Sequence, residues 1–146
     1  IAKLHGQVYD PAKARTIFQT LDLAESALNQ SVRSYSKGMA QKLGLAACFL
    51  REKQLFVFDE PMSGLDPKAR AYLKHYLLKL KAKGITLFFS THLLVDVEAL
   101  CDRMAILHEG QLQFIGSPTE CCATFAAGNL EEAYLRCIKG DYMIKD

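Results

Sequence analysis

Apolar positions follow two different rhythms along this chain. Leu55-Phe56-Val57-Phe58 is an unbroken apolar run, and Ile85-Thr86-Leu87-Phe88-Phe89-Ser90 is nearly one. Runs of this length, rich in aromatic and β-branched residues, predict strands buried on both faces, as in parallel sheets. Between them Ala69, Tyr72, Leu73, Tyr76, Leu77 and Leu80 recur at the three-and-four spacing of one helix face. Asp66 is placed to cap that helix, Pro67 to be its first residue and Gly84 to end it. A strand, helix and strand of these lengths predict a right-handed crossover, which brings both strand ends to the same edge of one parallel sheet.

The helical rhythm predicts further elements on either side. Asp10-Pro11 opens a helix over 12–21, with Ala14, Ile17, Phe18 and Leu21 on one face. Ser36 caps a helix whose body, 40–52, carries Leu43, Ala46, Ala47 and Leu50 on one side. Leu94, Val97, Leu100 and Cys101 mark an amphipathic helix, and 104–108 and 111–115 a β-hairpin turning at Glu109-Gly110. Ser117-Pro118-Thr119-Glu120 is a capping box that opens a helix to about Phe125, and a last helix spans 130–138 with Ala133, Tyr134 and Cys137.

Candidate chemistry gathers at the strand ends. Asp59 and Glu60 follow the first strand and Thr91-His92 the second. Crevices of open α/β sheets lie at this edge, where carboxylates suit a hard cation and a water, and His92 is expected near them. At the start of the helix after Ser36, the hydroxyl, the first-turn N–H groups and the positive end of the helix dipole suit an anion such as a phosphate.

The order of these pieces resembles the nucleotide-binding domain of ATP-binding cassette (ABC) proteins. Tyr35-Ser36-Lys37-Gly38-Met39 looks like the signature motif, usually Leu-Ser-Gly-Gly-Gln. Residues 55–60 look like Walker B with its following glutamate, Ser63-Gly64-Leu65-Asp66 like the D-loop, and His92 like the switch histidine. Lys37 and Met39 depart from the commonest signature in a way similar to bacterial ATPase subunits that work with separate membrane subunits in export systems. The resemblance implies an α/β fold, a partial P-loop NTPase with a parallel sheet, flanking helices and part of the helical signature subdomain. It implies ATP and Mg2+ as cofactors and two cassettes paired head to tail. Ser36, Lys37, Gly38 and Met39 would then meet the partner's nucleotide, Asp66 would cross to the opposite site, Asp59 would hold the metal, Glu60 would act as general base and His92 would bind the γ-phosphate. On the same basis three segments are expected: a helical portion over 1–52, the core sheet over 53–116 and C-terminal helices over 117–146.

The phosphate-binding loop needs a Gly-Lys pair, and none of the nine glycines is followed by lysine. Since that loop precedes the signature in the family, the chain reads as the later part of a domain, not competent alone. It also begins at Ile1. Relatives place a further strand between those expected to end at Ser90 and to begin near Arg103.

Composition narrows the remaining choices. A chain of 146 residues with 50% hydrophobic content can form a core, and a net charge of +2 without a basic run gives no support for a nucleic-acid partner. The longest apolar stretch, 43–50, is too short to span a bilayer and no signal peptide is evident. Any membrane link would go through a partner, and the resemblance to ABC proteins implies a cytoplasmic subunit reaching the inner face of the membrane through permease subunits. Five cysteines without paired C-x-x-C spacing read as reduced thiols, and His5, His75 and His108 as surface or packing residues. The alternatives to a transporter ATPase are a soluble ABC ATPase acting on ribosomes or chromosomes and a non-catalytic dimerisation fragment.

Overall fold

Short-range capping chemistry sets where most of the helices begin. The computed structural model describes residues 10–24, 26–27 and 30–139, so His5 lies outside the described residues. The first helix, α1 (Pro11–Thr20), starts where the Asp10 carboxylate accepts from the Ala12 and Lys13 N–H groups at 2.9 and 3.2 Å. It ends in a Schellman motif. Leu23 N–H returns to the Phe18 carbonyl at 2.9 Å and Asp22 N–H to Gln19 at 3.0 Å, with Asp22 in the left-handed region at φ 54°.

A short 3-10 turn, Val32–Ser34, leads to α2 (Lys37–Phe49), β1 (Leu55–Phe58), α3 (Pro67–Ala82) and β2 (Thr86–Phe89). β1 and β2 pair in parallel, with Phe56 opposite Leu87 and Phe58 opposite Phe89. The buried stripes of three helices, Ala14-Ile17-Phe18, Lys42-Leu45-Ala46-Phe49 and Ala69-Leu73-Leu77-Leu80, form the core of this unit with buried Phe56. Phe49 wedges it together. Its ring lies edge-on to Phe56 and Phe58, at 5.6 and 5.7 Å between centroids, and 4.7 Å from Tyr76. Burial raises the Tyr76 phenol above its ordinary value, helped by the charge of Glu52.

Three expectations are corrected here. β1 is not buried on both faces: Leu55 and Val57 are 54% and 65% exposed, and Phe88 of β2 is 66% exposed. Among the described residues, helices cover only the face that carries Phe56 and Phe58. The buried stripe of α2 is also turned from the expected one, with Lys42, Leu45 and Phe49 buried beside Ala46 while Leu43, Ala47 and Leu50 are half-buried. Lys42 belongs to the packed side because anionic partners wait for it there. In α3, Tyr72 is exposed and Tyr76 half-buried, so the buried stripe is narrower than expected.

The second compact unit begins after Ser90. It contains α4 (Leu94–Leu100), β3 (Met104–His108), β4 (Gln111–Gly116), α5 (Pro118–Thr124) and α6 (Leu130–Lys139). β3 and β4 form an antiparallel hairpin whose turn residues Glu109 and Gly110 have φ of 50° and 75°, the paired positive values of a type I′ turn. The register slips between Ile106 and Leu107, leaving Gln113 as a bulge. Ser117 and Glu120 form both halves of the capping box, and the donor bonds of Ser117 hold the Glu120 carboxyl below its ordinary range. Val97, Ile106, Cys121, Leu130 and Ala133 make the core, and burial pushes the Cys121 thiol up. No helix among the described residues is long and apolar enough to cross a membrane.

Leu73 is fully buried, so Leu73→Ala is expected to cost about 3 kcal/mol, read from the denaturant midpoint. Tyr72→Ala at a 42% exposed position should cost less than about 1 kcal/mol.

Candidate functional site

Parallel pairing fixes the first part of the site. Ser90 N–H donates to the Phe58 carbonyl at 3.1 Å, carrying the ladder one step beyond the strands. The Ser90 hydroxyl then does two things: it accepts from Glu60 N–H at 3.0 Å and donates to the Asp59 carboxylate. Both acidic residues are thereby tied to the end of β2. Glu60 has φ of 46°, a left-handed conformation uncommon for a residue with a side chain, and the Ser90 contact helps to hold it.

The signature helix supplies the second part. Ser36 is its N-cap, with the hydroxyl accepting from Met39 N–H at 3.2 Å. Lys37 and Gly38 occupy the first turn, ahead of the first intrahelical bond from Ala40 N–H to the Ser36 carbonyl.

Residues 61–66 join the two parts. Pro61, Met62 and Leu65 are buried, while Ser63 N–H and Leu65 N–H close successive turns on the Glu60 and Met62 carbonyls. Gly64, at φ 73°, rests against the signature turn: a Cβ on Gly38 would come within 2.9 Å of the Gly64 carbonyl oxygen, and one on Gly64 within 3.4 Å of the Lys37 stem. Only glycine at position 38 permits that approach. Gln41 Nε2 donates to the Pro61 carbonyl at 3.2 Å, and Lys42 Nζ lies 3.7 Å from the Asp66 carboxylate. Asp66 caps α3 by accepting from Ala69 N–H at 2.9 Å. That bond, aided by the Lys42 charge, holds its carboxyl below the ordinary aspartate value despite opposing desolvation.

Of the residues singled out from sequence, Ser36, Lys37, Gly38, Met39, Asp59, Glu60 and Asp66 lie in the first unit. The signature and D-loop residues are in direct contact there. His92 is placed in the second unit, on the turn before α4 where Leu93 N–H donates to the Thr91 hydroxyl at 3.1 Å. Sequence reasoning missed Ser90, Gln41 and Lys42 as parts of the site. A hydroxyl immediately after an apolar strand was the available signal for Ser90. For Lys42 it was the regular three-and-four spacing that it shares with Leu45, Ala46 and Phe49.

A parallel strand pair ending in Asp-Glu, docked beside a serine-capped helix, fits the fold of P-loop type nucleotide-binding domains. Comparison with known proteins agrees. Residues 5–95 match a family model described as "AAA domain, putative AbiEii toxin, Type IV TA system". An ABC transporter ATP-binding protein of Synechocystis is 39% identical over 138 residues, 92% of this chain and 37% of that protein. The trehalose/maltose import ATP-binding protein MalK of Thermococcus litoralis is 36% identical over 121 residues, 80% of this chain and 32% of that one. A solved ATP-binding subunit of an ABC transporter superposes with a TM-score of 0.80 at 32% identity, over 93% of this chain and 58% of that structure. The chain belongs to the AAA family of that model, and over most of its length it is similar to part of the ATP-binding domain of ABC transporters. It spans 37% and 32% of the length of the two curated relatives.

The residues present suit Mg2+ as such sites use it. This ion keeps several waters and takes one or two carboxylates together with substrate phosphates. Asp59 and Glu60 offer adjacent carboxylates for such a role.

Ser90→Ala should remove an exposed bond from Glu60 N–H, costing about 0.5–1 kcal/mol and quickening amide exchange at Glu60. Ser90→Thr should preserve protection. For Asp66 the lowered carboxyl value sets the sign: its capping contribution is complete above the ordinary aspartate range and is lost as pH falls through the lowered value. Carbon NMR titration should find that low value, and Asp66→Asn should remove the pH dependence of protection at Ala69.

Proposed function

We propose that the intact protein is the ATP-hydrolysing subunit of an ABC transporter, acting with integral membrane permease subunits at the inner face of the cell membrane. The observation that carries this reading is the contact of the signature turn with the D-loop, Gly38 against Gly64, beside the Asp59-Glu60 edge. No Gly-Lys pair occurs in the 146 residues, and the chain spans 37% of the Synechocystis relative, so we place the phosphate loop in another part of the intact protein. On that reading this chain alone does not turn over ATP.

Two cassettes pair head to tail, each presenting its signature to nucleotide held by the other. Ser36 and the N–H groups of Lys37 and Gly38 donate to the γ-phosphate, with Met39 packing at the same turn and the α2 dipole favouring its charge. Asp59 would hold Mg2+, which when bound would supply charge neutralisation at the phosphate oxygens. Glu60 accepts a proton from the attacking water, His92 donates a hydrogen bond to the γ-phosphate, and Asp66 reaches across to the opposite site. The barrier falls chiefly through positioning and charge stabilisation. We assign outward transport on the signature variant Lys37-Gly38-Met39. A relative named for sugar import matches well too, so direction is not carried by overall identity.

Glu60→Gln in the intact protein should reduce ATP turnover by about a hundredfold or more while ATP-bound dimers accumulate, as seen by size-exclusion chromatography. Normal hydrolysis by this variant would defeat the base assignment. Uptake into inside-out vesicles carrying the permease would support export, and uptake into right-side-out vesicles would support import.

A further inference from the structure

An ammonium group is expensive to bury unless partners surround it, and Lys42 is only 8% exposed. Its Nζ donates to the backbone carbonyl of Asp22 at 3.0 Å. It also stands between two carboxylates, 3.8 Å from Asp22 Oδ2 and 3.7 Å from Asp66 Oδ2. The other oxygen of Asp22 is held by Lys68 Nζ at 2.8 Å, and that contact raises the Lys68 pKa. Two cations and two carboxylates therefore link three places: the Schellman turn after α1, the first turns of α2 and the start of α3.

Asp66 is divided between two tasks. Oδ1 caps α3, while Oδ2 faces Lys42. Lys42 lies six residues after Ser36 on the same helix, and Gln41 beside it grips the Pro61 carbonyl.

We propose that Lys42 is a positioning residue for the composite nucleotide site: its buried ammonium fastens the Asp66 end of the D-loop to the helix that begins at Ser36, so that signature turn and D-loop move as one piece. Its consequence for turnover rests on the transporter reading above. Phosphate engaging the signature turn in one subunit would then shift the Asp66 carboxylate that serves the opposite site. Replacing Lys42 should disturb this alignment more than nucleotide affinity.

Two measurements on the intact protein test the proposal and separate it from the functional reading. Without nucleotide, Lys42→Met should quicken hydrogen exchange over 61–66 by about tenfold, with 104–116 unchanged, and Lys42→Arg should restore protection. With ATP, Lys42→Met should lower kcat by about tenfold or more while KM changes by less than about threefold. Lys42→Arg should return kcat to within about threefold of the parent, and Lys42→Met/Asp66→Asn should be no slower than the slower single variant, because both changes break one link. If Lys42→Met does not fold, Asp66→Asn is the second variant: Asn still caps α3, the carboxylate facing Lys42 is lost, and exchange over 61–66 should quicken by about threefold. Unchanged exchange over 61–66, parental kcat in Lys42→Met, or additive losses in the double variant would each overturn the proposal. An intact parent protein without ATP hydrolysis would defeat the transporter reading, while the exchange measurement would still decide the role of Lys42.

Discussion

Four residues of β1 pair in parallel with four of β2, and a pair of that length has little stability without something packed on its face. Phe49 provides the packing at the point that matters. It stands at the end of the signature helix and fills the space between Phe56, Phe58 and Tyr76, joining helix, strand and following helix in one aromatic cluster. The strand ends are thereby set at a fixed height relative to α2. Ser90 can span to Asp59 and Glu60 only because the strands run in parallel register.

From that cluster outward, apolar packing gives way to polar contacts of increasing specificity. Leu45 and Ala46 continue the buried stripe of α2, then Lys42 replaces a hydrocarbon with a charge, then Gln41 reaches a backbone carbonyl, and finally Gly38 touches Gly64 with no side chain between them. Apolar contact alone would allow the end of α2 to slide over the 61–66 turns. The directional contacts near the signature remove that freedom, which a site made of two loops needs if its donors are to converge on one phosphate.

Features written in local chemistry were legible in the sequence. Asp10, Ser36, Asp66 and Ser117 cap helices as expected, and Glu109-Gly110 forms the hairpin turn. Asp59 and Glu60 were also placed correctly at the end of a parallel strand. The less legible features depend on partners distant in sequence. Lys42 was not singled out because nothing near it in the chain announces Asp22 or Asp66 as its neighbours, and the buried side of α2 was read one position out of phase. The strand runs gave the apolar composition of a two-sided core, yet Leu55, Val57 and Phe88 are exposed because composition does not say which elements supply the second cover. Ser90 was read only as the end of a strand, since its two bonds arise from pairing across 30 and 31 residues.

The backbone at Glu60 carries a consequence for how the protein would respond to selection. A left-handed conformation at a residue with a side chain is strained by roughly 1–3 kcal/mol, whereas glycine adopts it freely. Glycine there would relieve that strain and delete the carboxylate in the same stroke. Thermal hardening of this domain, pursued without a demand for turnover, would therefore tend to erase the residue on which its chemistry is proposed to rest.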